Sequence, residues 1–183
     1  MSLESWNQRY AAGEKLDEPH APLVEQFAVA LEPGAALDLA CGPGRNAQYL
    51  AEHGWRVTAV DGSAVALEHL RRRAQAKRLE LDIRLADLER GGFRFPVNSY
   101  DLVLDILYLQ RDLIPQIQSA LRPGGLLIAT VLLAPSDELR PTPTRARPGE
   151  LRALFRGWRV LHYRETSVAE LVAAKPSASS STL

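Results

Sequence analysis

The apolar positions of this chain change their period along its length, and the changes mark out its elements. From Pro19 to Leu31 they recur at helical spacing, with Leu23, Phe27, Ala30 and Leu31 on one face, until Pro33-Gly34 ends the helix. A short apolar run, Ala35–Ala40, then reads as a strand, and after the turn Gly42-Pro43-Gly44 a helix over 45–53 places Ala47, Leu50 and Ala51 together. Trp55–Val60 reads as a second strand. Ser63 is a natural N-cap for a helix reaching about Lys77, with Ala64, Leu67, Leu70 and Ala74 as its buried stripe. Leu81–Ala86 alternates as a third strand. Tyr100–Tyr108 reads as a fourth, running into a helix that ends near Leu121 at Arg122-Pro123-Gly124-Gly125. Leu126–Leu133 is continuously apolar, as a strand buried on both faces should be. Beyond it lie a proline-rich loop over 135–148, a short helix at Gly149–Phe155, and two close strands, Trp158–Glu165 and Val168–Ala174, expected to pair antiparallel at a sheet edge. Alternating strands and helices give an α/β fold with a largely parallel sheet.

Length suits one domain over 1–176, with cap helices in 1–32, a substrate-side loop over 135–148 and a disordered Ser-rich tail at 177–183. The 22 basic residues balance the 22 acidic ones, so no net field draws the chain to nucleic acid or an anionic membrane. Arg71-Arg72-Arg73 fan around a helix and read as a solvated face. Cys41 is the single cysteine, which excludes an intrachain disulfide. With no signal pattern and no bilayer-length apolar run, the expectation is a cytoplasmic protein, a monomer or weak homodimer, without nucleic-acid or membrane partners.

The candidate chemistry centres on the turn at Gly42-Pro43-Gly44. Glycine there permits positive φ and lets a ligand approach the backbone, and the next helix offers free N–H groups. Asp61 ends the following strand, about 20 residues on, where an acid can accept from two vicinal ribose hydroxyls. This pairing suggests an adenosine-type site. Asp87, at the end of the third strand, is placed to meet a base edge, with a helix cap as the plainer reading. Asp105 lies near the end of the fourth strand, beside the cofactor position. Trp6, Arg9 and Tyr10 share one helical turn and serve as a hydrophobic cap or as a lid. Gly42-x-Gly44-x-x-Ala47 fits a loose dinucleotide fingerprint, but Asp38 inside the strand favours a different cofactor.

The frame Asp38-x-Ala40-Cys41-Gly42-x-Gly44 resembles the first motif of class I S-adenosylmethionine-dependent methyltransferases, with Ala40 in place of the first glycine. Trp6-x-x-Arg9-Tyr10, the run through Arg45-Asn46, Tyr108-Leu-x-Arg111, Leu121-Arg-Pro-Gly-Gly125 and Arg147-Pro-Gly-Glu-Leu151 are similar to the small tellurite-resistance-type members. The resemblance implies a Rossmann-like, doubly wound, seven-stranded mixed sheet with an antiparallel edge pair at the C-terminal end. It also implies S-adenosyl-L-methionine as cofactor, S-adenosyl-L-homocysteine as product and a small-molecule methyl acceptor. Asp38, Ala40, Gly42 and Gly44 would border the methionine portion, with Cys41 packing in the turn and Asn46 opening the helix beside it. Asp61 would hold the ribose, Gly62 and Ser63 would flank the adenine, and Asp87 and Leu88 would meet its amine and ring. Asp105 and Tyr108 would line the methyl-donor end, and Trp6, Arg9 and Tyr10 would close over the cofactor. Tyr108 and Arg111 are the catalytic candidates.

Methyl transfer from a sulfonium is an in-line displacement that needs alignment and dryness more than acid–base help. His20, His53, His69 and His162 fall away from the strand tips, and no metal-ligand spacing is present. Seven arginines between Leu139 and Arg164 face a single acid, Glu150. They would attract an anionic acceptor if they overhung the site, or be dispersed surface charge. The rival functions are a non-catalytic S-adenosylmethionine-binding module and a small NAD-dependent oxidoreductase, for which no paired Tyr–Lys proton donor is apparent.

Overall fold

The structure is a computed structural model that describes residues 2–135 and 144–177. Its seven strands belong to one mixed sheet. The chain forms two compact units, one up to Arg94 and one from Phe95.

The first unit contains α1 (Leu3–Ala11), α2 (Pro22–Ala28), β1 (Ala35–Leu39), α3 (Arg45–Glu52), β2 (Arg56–Asp61), α4 (Ala64–Lys77) and β3 (Leu81–Leu85). β2 pairs in parallel with β1 on one side and with β3 on the other, in the order β3-β2-β1. β1 is buried from Ala36 onward because helices cover it, so its side chains are apolar except for Asp38. Leu37 and Leu39 of β1, Leu50 of α3, and Leu67 and Leu70 of α4 are among the largest fully buried side chains. Each such leucine contributes about 2 kcal/mol by leaving water.

α4 begins as the sequence implies: Ser63 Oγ accepts from the Ala66 amide at 3.1 Å. Its buried stripe starts at Ala66 rather than Ala64, which is exposed. Arg71 and Arg72 are solvent-exposed, Arg72 pairing with Glu68, and Arg73 reaches Asp17, so the arginine run is a solvated face. α2 is shorter than its apolar pattern suggested. It ends at Ala28 and buries Leu23, Val24 and Ala28, while Phe27 is half-buried and Ala30 exposed. Once the helix stops, Ala30 and Leu31 lose the helical phase that would have turned them inward.

The second unit contains β4 (Tyr100–Ile106), α5 (Ile114–Ala120), β5 (Leu121–Leu132), α6 (Glu150–Leu154), β6 (Arg159–Glu165) and β7 (Val168–Ala174). β4 and β5 are parallel, β7 runs antiparallel to β5, and β6 is the outer strand, antiparallel to β7, in the order β4-β5-β7-β6. The expected antiparallel edge pair is present. The expected helix through Leu121 is not: α5 stops at Ala120, and Leu121 already pairs with Tyr100. The register then jumps to Leu102↔Leu126, so Arg122-Pro-Gly-Gly125 is an interruption within the strand. Pro123 has no amide hydrogen to pair, and Gly124 takes φ +80 there. The 135–148 loop falls mostly outside the described residues, as does the tail from 178. The loop's returning end is ordered by Ala146, which bridges Leu133 in parallel and is fully buried.

Gly44 carries the tightest packing constraint in the first unit. Its φ is +79, and a Cβ there would lie 2.3 Å from Leu70 Cδ1. Gly44→Ala is therefore expected to destabilise the fold by roughly 2–4 kcal/mol through backbone strain and overpacking, read as a lowered urea midpoint. A loss below about 1 kcal/mol would mean that Leu70 yields freely and that the contact is not a constraint.

Candidate active site

The glycine turn is closed by Gly44 N–H donating to Cys41 O at 3.0 Å, and Cys41 N–H donates to Val60 O of β2 at 3.0 Å. The turn and the end of β2 are thus fixed to each other. Asp61 completes the junction. Its Oδ2 accepts from Gly42 N–H at 2.8 Å and its Oδ1 from Ser63 N–H at 2.7 Å, and the Gly62 amide also donates to it. A carboxylate has about four acceptor positions, so three backbone donors leave capacity for a ligand hydroxyl. Burial outweighs these donors and raises the Asp61 pKa above its ordinary value. Ala40, standing where the motif usually has glycine, holds φ +49, a left-handed conformation that explains why glycine is preferred there.

Asp38 is only 1 % exposed. The Ala47 amide in the first turn of α3 donates to its carboxyl, but its Oδ2 has no hydrogen-bond partner. Desolvation pushes its pKa up to about 7, with the nearby Asp61 charge adding to the rise and Arg45 opposing it. Cys41 is buried, and desolvation likewise raises its thiol pKa, so it packs as an inert side chain.

α1 lies across this junction. Tyr10 is buried, stacks on Trp6 at 5.6 Å between ring centroids, and brings its Oη to 2.9 Å from where a Cβ on Gly42 would stand. Arg9 sits 4.7 Å above the Trp6 ring. Leu3 comes within 3.1 Å of a Cβ built on Gly62, and Ser63 Oγ donates to Asn7 Oδ1 at 2.6 Å. Leu3 and Asn7 were not singled out from the sequence. Their link to Gly62 and Ser63 spans more than fifty residues and leaves no local signal.

Other expected site residues have structural partners. Asp87 Oδ1 accepts from the Glu89 and Arg90 amides at 3.0 and 3.3 Å, so it caps the turn Leu88–Arg90, with Leu88 buried beneath. The cap still holds Asp87 next to the end of β2, because Ala86 N–H donates to Asp61 O at 3.0 Å. Asn46 is buried, and its Oδ1 accepts from Ala21 N–H at 2.9 Å. Gly44 is committed to packing against Leu70.

In the second unit Asp105 is buried near the end of β4. Leu107, just past the end of β4, holds φ +57, and its amide donates to Thr130 O and Thr130 Oγ1 of β5. Tyr108 Oη donates to Gln110 Oε1 at 2.5 Å. Arg111 Nε and Nη2 donate to Glu150 Oε1 and Oε2 at 2.6 and 3.1 Å, and Nη2 also reaches Arg145 O at 3.1 Å. Glu150 takes the Arg147 amide as well, and these donors hold its pKa below the usual carboxylate range. Two motifs separated by about forty residues are therefore halves of one clasp, and Arg111 braces the segment that follows the loop. The remaining arginines of that region, among the described residues, do not converge. Arg145 donates to Leu133 O, Arg152 stacks over Tyr163 and Arg164 pairs with Glu170, while Arg156 and Arg159 are exposed. Arg140 lies outside the described residues. Three of the four histidines also have local roles: His20 pairs with Glu25, His53 meets Tyr49 O and His162 pairs with Glu170.

Among the described residues no group of acids, histidines and cysteines could hold a metal, and no helix is long and apolar enough to cross a membrane. A family profile described as a methyltransferase domain matches residues 36–125, from β1 through the glycine interruption of β5. The chain belongs to the class I S-adenosylmethionine-dependent methyltransferase family. Within it, the chain is similar to TehB of Haemophilus influenzae, at 27 % identity over 156 residues, 80 % of this chain and 53 % of that protein. It is 34 % identical over 136 residues to the malonyl-[acyl-carrier protein] O-methyltransferase of Salmonella typhimurium, covering 67 % of this chain and 52 % of that protein. The crystal structure of Haemophilus influenzae TehB superposes with a TM-score of 0.78 at 21 % identity, covering 92 % of this chain and 67 % of that one. The chain thus spans about half the length of the curated relatives it matches.

The first unit fits the family's cofactor on its own geometry. Asp38 Oδ2 is a buried acceptor with no hydrogen-bond partner, suited to an ammonium donor, and Asp61 retains acceptor capacity for a hydroxyl.

Because Asp38 ionises near pH 7 in the folded chain and near 3.9 when unfolded, it contributes stability that is complete below about pH 4 and is lost as pH rises through 7. Asp38→Asn cannot ionise, so its stability relative to wild type should climb across that window. Parallel pH dependences in urea unfolding of the two proteins would show that Asp38 is already charged in the fold.

Proposed function

We propose that this chain transfers a methyl group from S-adenosyl-L-methionine to a small-molecule acceptor, releasing S-adenosyl-L-homocysteine. The observation that carries the reading is the paired acids at the glycine turn: Asp38 buried with an unpartnered oxygen, and Asp61 beside it with acceptor capacity left. A ligand that brings a cation and a vicinal diol at once matches that pair.

S-adenosyl-L-methionine supplies an electrophilic methyl on a positively charged sulfur. The chain's own task is then to bind, align and exclude water. Asp38 would accept from the ammonium, and ionising it near neutral pH favours a cationic ligand. Asp61 would accept from the ribose, its carboxylate already oriented by backbone donors. The Ala86–Asp61 link keeps Asp87 within the same strand-end region, where it would face the adenine amine through Oδ2, the oxygen not used as a cap, which here lies 3.5 Å from Arg90 Nε. Tyr10 and Trp6, stacked across Gly42, would exclude water from above.

The acceptor side supports a nucleophile that arrives already ionised or soft, such as a thiolate or an oxyanion. His20, His53 and His162 are occupied locally, Tyr108 donates to Gln110, and Arg111 is bound to Glu150, so none of these is poised as a general base. The dispersal of the described arginines favours ordinary surface charge over an anion-collecting patch.

The test is calorimetric titration with S-adenosyl-L-homocysteine on wild type and Asp61→Ala. Binding in the micromolar range, weakened at least tenfold in the variant, is the expected result. Absence of heat and of thermal shift in the wild type, with NADH binding instead, would reverse the reading toward an oxidoreductase. Given binding, consumption of S-adenosyl-L-methionine should be screened with thiols, selenite and tellurite.

A further inference from the structure

The first turn of α3 carries Arg45 and Asn46, and the motif resemblance places Asn46 beside the cofactor. Their side chains bond to the N-terminal segment. Arg45 Nη1 donates to Glu18 Oε2 at 2.8 Å and to Pro19 O at 3.1 Å. Asn46 Oδ1 accepts from the Ala21 amide at 2.9 Å. Both residues grip the short stretch Glu18–Ala21 that joins α1 to α2. Arg45 is mostly sheltered and Asn46 is buried, while the Glu18 side chain remains partly exposed.

The gripped stretch is the last part of the connection, residues 12–21, that leads from α1 to α2. α1 itself rests on the glycine turn through Tyr10 and on Gly62 through Leu3, with the Ser63–Asn7 hydrogen bond as its main polar contact with α4. A nine-residue helix is marginal alone, and its position depends on where its C-terminal connection is fixed. Arg73–Asp17 adds a second, more exposed attachment beside the first. Lys15 also pairs with Glu18, through Oε1 at 3.0 Å, the oxygen that Arg45 does not use.

We propose that Arg45 and Asn46 are positioning residues that seat the N-terminal segment over the glycine turn and thereby set how long the bound cofactor is retained. The proposal rests on the functional reading above. It assigns to α3 a double function, in which its backbone amide at Ala47 serves Asp38 while its first two side chains hold the cover. The same helix end therefore fixes the floor and the roof of one site. Because the clasp acts on closure rather than on ligand contacts, its loss should appear mainly in the dissociation rate.

The decisive variant is Glu18→Gln, which lies outside the glycine turn and keeps the size of the side chain. S-adenosyl-L-homocysteine release would be followed by displacement, and closure of α1 by hydrogen exchange of the amides from Leu3 to Ala11. The expected result is a roughly three- to tenfold faster release together with faster exchange in α1. Arg45→Gln should produce a similar change, and the double variant should add little to either, as expected of partners in one interaction. Lys15→Gln separates the Lys15 contact and should leave the release rate unchanged. Glu18→Gln releasing ligand at the wild-type rate, or additive effects in the double variant, would overturn the proposal. A wild type that binds no S-adenosyl-L-homocysteine would remove the functional reading itself, a result distinct from either of these.

Discussion

The junction between the glycine turn and the end of β2 depends on one carboxylate. Asp61 gathers the amides of Gly42, Gly62 and Ser63, and no neutral side chain of similar size could accept from all three. These amides would otherwise be left without partners in a buried turn, at a cost of one to a few kcal/mol each on an order-of-magnitude scale. The left-handed φ at Ala40, Gly42 and Gly44 is acceptable only because the junction is tied down in this way. The orientation of Asp38, the start of α3 and the cap of α4 at Ser63 all follow from it.

Much of this architecture was legible in the sequence. The alternation of strand and helix, the Ser63 cap and the closing antiparallel pair are written in local periodicity and turn chemistry, which act within a few residues. The two acids at the turn were legible because a carboxylate inside an apolar strand needs a reason. Local pattern failed where it carries little phase. In the run from Leu23 to Leu31 nearly every position is apolar, so the buried face could not be chosen before the helix end was known. The strand interruption at Arg122–Gly125 looked like a helix terminator because proline and glycine mark both.

The contacts that assemble the site were the least legible. Asn7 with Ser63, Arg45 with Glu18 and Arg111 with Glu150 each join residues remote in sequence. Nothing in a single chain's composition distinguishes such an arginine from one that meets solvent or ligand. The resemblance to known methyltransferases marked several of these positions as characteristic, and it suggested ligand contact for Asn46 where the structure shows a bond to Ala21. A motif residue can be retained for the shape it enforces as readily as for what it touches.

The bidentate clasp of Arg111 with Glu150 has a consequence for descent. Lysine cannot reproduce a two-pronged contact, and aspartate is one methylene too short to meet the same fork without moving α6. Neither partner can drift alone without stranding the other's charge in a half-sheltered position. Lineages carrying this fold should therefore change the two sites together, and a sequence lacking the arginine should be found to have rebuilt the acid's side as well.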